Sequence, residues 1–130
     1  MNEYIQISVR ELEITAKMAL ETIGLPEGLE HDGALATVWH EARGLNGIKA
    51  LLNDLNSFSS LPTRDGALID FKGLSAIFTA PMAIDLAMVM NEKLNIKNIQ
   101  LPSTTAAYAA RQAKKQIWFK LSWSNGEAIV

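Results

Sequence analysis

Apolar residues recur at helical spacing through the first 57 residues, and in short runs of sheet-like spacing after residue 66. Val9, Leu12, Ala16, Ala19, Leu20 and Ile23 fall on one face of a helix, the three-and-four spacing of an amphipathic segment. Ser8-Val9-Arg10-Glu11 opens it as a capping box, whose hydroxyl and carboxylate satisfy amide groups that the first turn leaves unpaired. Gly24 suits the left-handed position that closes a helix, and Pro26 discourages continuation. A second helix is expected from about Glu27 to Arg43, ending at Gly44. Leu29, Ala36, Trp39 and Arg43 share one side of it, with Leu35, Val38 and Ala42 beside them. Ile48, Leu51, Leu52 and Leu55 mark a short third helix after the Gly44–Gly47 turn.

Asn56 to Gly66 is rich in Ser, Asn, Pro and Gly and reads as a loop. It separates a helical part, 1–57, from a strand and helix part, 67–130, with 58–66 between them, all within one expected domain. Short strands are expected at Tyr4–Ile7, Ala67–Phe71, Ile96–Leu101 and Gln116–Trp123. Asn125-Gly126 is a hairpin signal, with Glu127 to Val130 as the return strand. Thr79-Ala80-Pro81 opens a fourth helix carried by Met82, Leu86, Val89 and Met90, proline being tolerated in a first turn. Ser103 caps a fifth, reaching about Lys115, in which Ala106, Ala107, Ala110 and Ala113 form a small-residue face that should lie close against a sheet. The fold class is α+β or α/β: an N-terminal three-helix layer, then a small sheet with two covering helices. The chain stops inside its return strand, so either that edge pairs with something else or a longer protein continues from it.

Composition narrows the function classes. A chain of 130 residues, 48% apolar and 20% charged, can bury one core and is not of disordered composition. Twelve basic residues against fourteen acidic ones leave no basic footprint for nucleic acid. With no cysteine, disulfides, thiolate metal sites, iron–sulfur clusters and cysteine nucleophiles are excluded. The run Ala76–Met90 is interrupted by Thr79, Pro81 and Asp85 and is too short for a membrane span. MNEYIQISVRELE lacks the basic start and apolar run of a secretory signal, so a soluble, cytoplasmic protein is expected.

Both histidines lie in HDGALATVWHEARG, residues 31–44. Nine residues on a helix is about 900°, half a turn out of phase, so His31 and His40 cannot share a metal within the chain. His31 should face solvent and His40 should be partly buried; no metal and no cofactor is expected. Arg43 stands where a cation favours the carbonyl end of a helix, and it is equally placed to anchor a ligand carboxylate or phosphate. Trp39 reads as core or as a ligand platform. Asp85 follows Met82-Ala83-Ile84 in an apolar helix and needs a partner there, with Lys72, Arg64 or Arg111 available. Ser103-Thr104-Thr105 opens a helix after a strand, a place for capping or for an anion, without the glycines of a phosphate or dinucleotide loop. Trp39, His40, Arg43, Asp85 and Thr104 are therefore the candidate ligand-binding residues, and no catalytic set emerges.

Ser8-Val9-Arg10-Glu11-Leu12, Gly24-Leu25-Pro26-Glu27-Gly28-Leu29 and Trp39-His40-Glu41-Ala42-Arg43-Gly44-Leu45-Asn46-Gly47 resemble a family of bacterial proteins with no assigned function. Ala80-Pro81 with Asp85-Leu86, and Phe119-Lys120-Leu121-Ser122-Trp123, are compatible with its later part. Members of that family tend to be longer. Glu11-Leu12, Gly24-Leu25-Pro26-Glu27, Glu41-Ala42-Arg43-Gly44 and the region from Ile99 to Val130 more faintly resemble malate and L-lactate dehydrogenases that lack a Gly-rich dinucleotide loop. That family carries a histidine after the first pattern and another where this chain has Thr104-Thr105. Kinship of that kind implies hydride-transfer chemistry that has been lost here. The leading expectation is a non-catalytic module that assembles with itself or a protein partner through the C-terminal sheet edge. The alternative is a small-molecule-binding or divergent oxidoreductase-like domain with a pocket where the second helix meets the sheet.

Overall fold

The computed structural model describes residues 6–90, 92–113, 122–124 and 126–130. Three helices come first: α1 (Val9–Glu21), α2 (Leu29–Ala42) and α3 (Gly47–Ser57). Ser8 caps α1 as its sequence requires, its Oγ accepting from the Glu11 amide at 3.1 Å. Ala16 and Leu20 then turn inward, while Val9 and Met18 remain largely exposed. Close approach of the helices depends on glycine. A Cβ on Gly33 of α2 would stand 2.6 Å from Leu20 Cδ1 and 3.0 Å from Phe78 Cβ.

The second part alternates strands and helices: β1 (Thr63–Asp65), β2 (Leu68–Asp70), α4 (Ala80–Met90), β3 (Asn95–Lys97), a 3-10 turn (Pro102–Thr105), α5 (Ala106–Ala113), β4 (Ser122–Ser124) and β5 (Glu127–Ile129). The strands form one sheet in the order β1-β2-β3-β5-β4. β2 and β3 are parallel, joined through α4, and the other neighbours are antiparallel. Three helices followed by a mixed sheet with α4 and α5 is the expected α+β architecture. Tyr4–Ile5, Lys114–Leu121 and Asn125 of the expected elements lie outside the described residues.

Three details differ from the sequence reading. β1 lies inside the expected loop, because Thr-Arg-Asp has no apolar alternation and is held by register against β2. Ser103 does not cap α5: a 3-10 turn intervenes, entered through Leu101 at a φ of 49°. The C-terminal strand β5 is paired on both sides, so the outer strands among the described residues are β4 and β1.

The two layers meet at the segment 74–80, every residue of which is buried although 74–79 is neither helix nor strand. Irregular buried backbone must find partners for its polar groups, and here side chains supply them. The Asp54 carboxylate of α3 accepts from the Ser75 amide at 2.7 Å and from Ser75 Oγ at 2.8 Å. Thr104 Oγ accepts from the Ala76 amide at 2.8 Å. Asn53 Nδ2 donates to the Gly73 carbonyl, and the Gln100 amide to that of Leu74. This network fixes α3, the buried segment and the entry to α5 relative to one another.

Candidate functional site

A pocket of about 420 Å³ opens between α2, α5 and the start of α4, within the size range of small-molecule sites. Asp32, Leu35, Ala36 and Trp39 line it from α2, with Arg43 at the C-terminal end of that helix. Ala107, Tyr108, Ala110 and Arg111 line it from α5, and Ile77, Ala80 and Pro81 add to the wall, with Val9 of α1 and Val38 and Ala42 of α2 at its other end. The space has a sequence cause. Ala36, Ala80, Ala107 and Ala110 stand where larger side chains would close the gap between the helices. The alanine face of α5 was expected to approach a sheet; its Ala107 and Ala110 line the space beside α2 and α4 instead.

The wall is apolar, and its charges are arranged at two places. The Arg43 guanidinium lies 4.1 Å from the centre of the Trp39 ring, a cation–π stack, and its Nη1 donates to the Trp39 carbonyl at 3.1 Å. No carboxylate among the described residues pairs with Arg43. Arg111 differs: its Nη1 lies 3.1 Å from Asp32 Oδ1, and its guanidinium is 5.7 Å from the Tyr108 ring centre. The Tyr108 hydroxyl donates to Asp85 at 3.2 Å. Burial pushes that hydroxyl's pKa up, as do the Asp85 and Asp32 carboxylates, against the lowering effect of a hydrogen bond with Gln112.

Trp39 and Arg43, two of the five candidates from the sequence, line this pocket directly. His40 does not line it; it is fully buried, more than expected, edge-on to Trp39 with ring centres 5.0 Å apart. Nδ1 lies 2.8 Å from the Ala36 carbonyl and Nε2 3.3 Å from the Ser103 carbonyl, two acceptors for which the neutral ring has one N–H. Burial lowers the His40 pKa, opposed by these two backbone carbonyls, with Arg43 lowering it further. His40 thus sets the ring of Trp39 and links α2 to the start of α5. His31 is exposed, as its phase on the helix requires.

Thr104 is buried with its hydroxyl fully engaged, accepting from Ala76 and donating to the Leu101 carbonyl at 2.7 Å. Its position is structural. Asp85 is exposed, not buried, and its partner is Tyr108 rather than Lys72, Arg64 or Arg111. Of the apolar neighbours that suggested burial, Ala83 and Ile84 are buried, whereas Met82, and Val89 one turn on, face solvent with Asp85. The expected meeting of the second helix with the sheet is replaced by its meeting with two other helices.

Asp32, Tyr108 and Arg111 were not among the sequence candidates. Asp32 and Arg111 are 79 positions apart, and no local pattern joins them. Asp54 was missed although a signal existed: Gly47, Ala50, Leu51 and Asp54 are buried at helical spacing, which puts a carboxylate on the apolar face. Burial raises the Asp54 pKa, while the amide and hydroxyl of Ser75 and the amide of Asn53 lower it. Among the described residues no three potential metal ligands gather, and no helix is long and apolar enough to cross a membrane.

No curated protein and no solved structure matches the chain. The faint likeness to malate and L-lactate dehydrogenases finds no support in these comparisons. A family model described as "Protein of unknown function (DUF3726)" matches residues 7–114. That span holds every residue lining the pocket, and ends before the β4–β5 hairpin. By that match over most of its length, the chain belongs to the DUF3726 family of proteins of unknown function.

Proposed function

We propose that the chain is a non-catalytic binding module whose α2–α5 pocket takes up a small apolar carboxylic acid. One observation carries the reading: an apolar pocket of about 420 Å³ has at its edge an arginine stacked on tryptophan and without a carboxylate partner among the described residues. The alanine-lined wall suits an aromatic or branched aliphatic body. A guanidinium presents paired donors that match a carboxylate, and the stack on Trp39 limits the freedom that Arg43 loses on binding.

Thermal stabilisation by a panel of small aromatic and branched aliphatic acids tests the proposal, with Ala110→Phe as the variant that fills the space. Binding to the parent chain and its loss in Ala110→Phe is the expected result. A panel without any shift, or equal shifts in both proteins, contradicts it.

Assembly through the sheet edge is the weaker reading. Its outer strand β1 has three residues, and Arg64 and Asp65 are exposed on it, a charged edge of the kind that discourages strand addition. A concentration-dependent dimer in sedimentation would support it, and a strict monomer over a wide range would remove it.

A further inference from the structure

The two arginines of the pocket are not equivalent, and the difference bears on which acids fit. Arg111 is paired with Asp32 at 3.1 Å, whereas Arg43 spends one donor on a backbone carbonyl. The charged residues in the wall are thus Asp32, Arg43 and Arg111, and they sum to one net positive charge. Asp85, hydrogen-bonded by Tyr108, adds negative field at the Tyr108 end of the pocket. An anionic ligand therefore meets one uncompensated cation at one place and a neutralised ion pair at the other.

Resting on the proposed binding reading, we infer that the Asp32–Arg111 pair is a charge gate that makes the pocket selective for monocarboxylates over dicarboxylates. A second carboxylate directed at Arg111 meets the negative charge of Asp32, and it gains the guanidinium only by displacing that partner. Like-charge placement of this kind is how sites reject near-analogues that fit by shape. Arg43 reads the first carboxylate, and Asp32 disfavours the second. The pair is open to solvent, with the Arg111 side chain 57% and the Asp32 side chain 24% accessible, so salt screens it.

Three probes of shared body test this by calorimetry at low ionic strength: phenylacetate, its neutral amide phenylacetamide, and 1,4-phenylenediacetate. The parent chain should bind phenylacetate about tenfold more tightly than the amide, and also more tightly than the dianion. Asp32→Asn should move the monoanion-to-dianion ratio at least about fivefold toward the dianion. Asp85→Asn, which changes a charge outside the wall, should move it less. Arg43→Gln should bring phenylacetate down to the level of the amide while leaving the amide bound. An unchanged ratio in Asp32→Asn overturns the gate with the pocket reading intact. Equal binding of acid and amide by the parent overturns the role given to Arg43, and the gate with it. Failure of all three probes to bind overturns the pocket reading itself.

Discussion

Replacing Asp54 by alanine should be the most damaging single change outside the apolar core. Its carboxylate is fully buried and receives the Ser75 amide at 2.7 Å, Ser75 Oγ at 2.8 Å and Asn53 Nδ2 at 3.0 Å. Asn53 keeps a second acceptor in the Gly73 carbonyl, so alanine orphans chiefly the two donors of Ser75. Each buried donor left unpaired costs about 1–3 kcal/mol. Relief from burying a carboxylate offsets part of that sum, leaving about 2–4 kcal/mol of destabilisation. For a chain of this size that is a fall in Tm of roughly 6–20 °C. Asp54→Asn retains one acceptor for the Ser75 amide and should lose about half as much. Urea denaturation of the three proteins measures this directly, provided the slope m is unchanged. Ser75→Ala combined with Asp54→Ala closes a double-mutant cycle, in which a coupling above about 0.5 kcal/mol is expected. A loss below about 0.5 kcal/mol in Asp54→Ala would refute the claim that this carboxylate holds the buried segment.

Other outcomes follow from the same geometry. Gly33→Ala should destabilise by about 1–2 kcal/mol, because overpacking against Leu20 and Phe78 outweighs the gain in helix propensity of about 1 kcal/mol; a raised Tm would contradict the close approach. Burial lowers the His40 pKa, so the unfolded chain takes up its proton more readily than the folded one. The associated stability is full above about pH 6.5 and is lost as pH falls through the folded value; denaturation midpoints at pH 7.5 and 5.5 should show the drop, and His40→Gln should flatten it. Asp54 has the opposite sign. Its raised pKa ties stability to the protonated form, present below about pH 4 and lost as pH rises through the folded value. Subtracting the pH profile of Asp54→Asn should expose that component, and identical slopes would remove it.

Most of the helical part was legible because its signals are local. The Ser8 cap, the glycine stops and the inward Ala16 and Leu20 of α1 are set by neighbours a turn away, whereas α2 buries Gly33, Ala34, Thr37 and His40 and α3 buries Gly47, Ala50 and Asp54 in place of most of the apolar positions expected there. The hairpin signal at Asn125-Gly126 likewise places β4 beside β5. What could not be read depends on distant chain. β1 exists only through its pairing with β2, and Thr104 is fixed by an amide 28 positions away. The pocket is the clearest case, since Trp39 and Arg43 were visible on one helix while its far wall comes from α5. Alanines on α5 announced a close approach without saying to what. Asp85 misled for a physical reason: apolar residues on a solvent-facing side of α4 imitate a buried helix.

The space between α2 and α5, proposed as the binding site for a small acid, is open to direct measurement. Its most direct test is a titration with phenylacetate followed by the indole N–H resonance of Trp39, assigned by its absence in Trp39→Phe. A saturable shift of that resonance is expected, accompanied by the backbone amides of Arg43, Tyr108 and Arg111, with those of α3 and β1 unmoved. No saturable shift, or shifts gathered at the sheet edge instead, would contradict it.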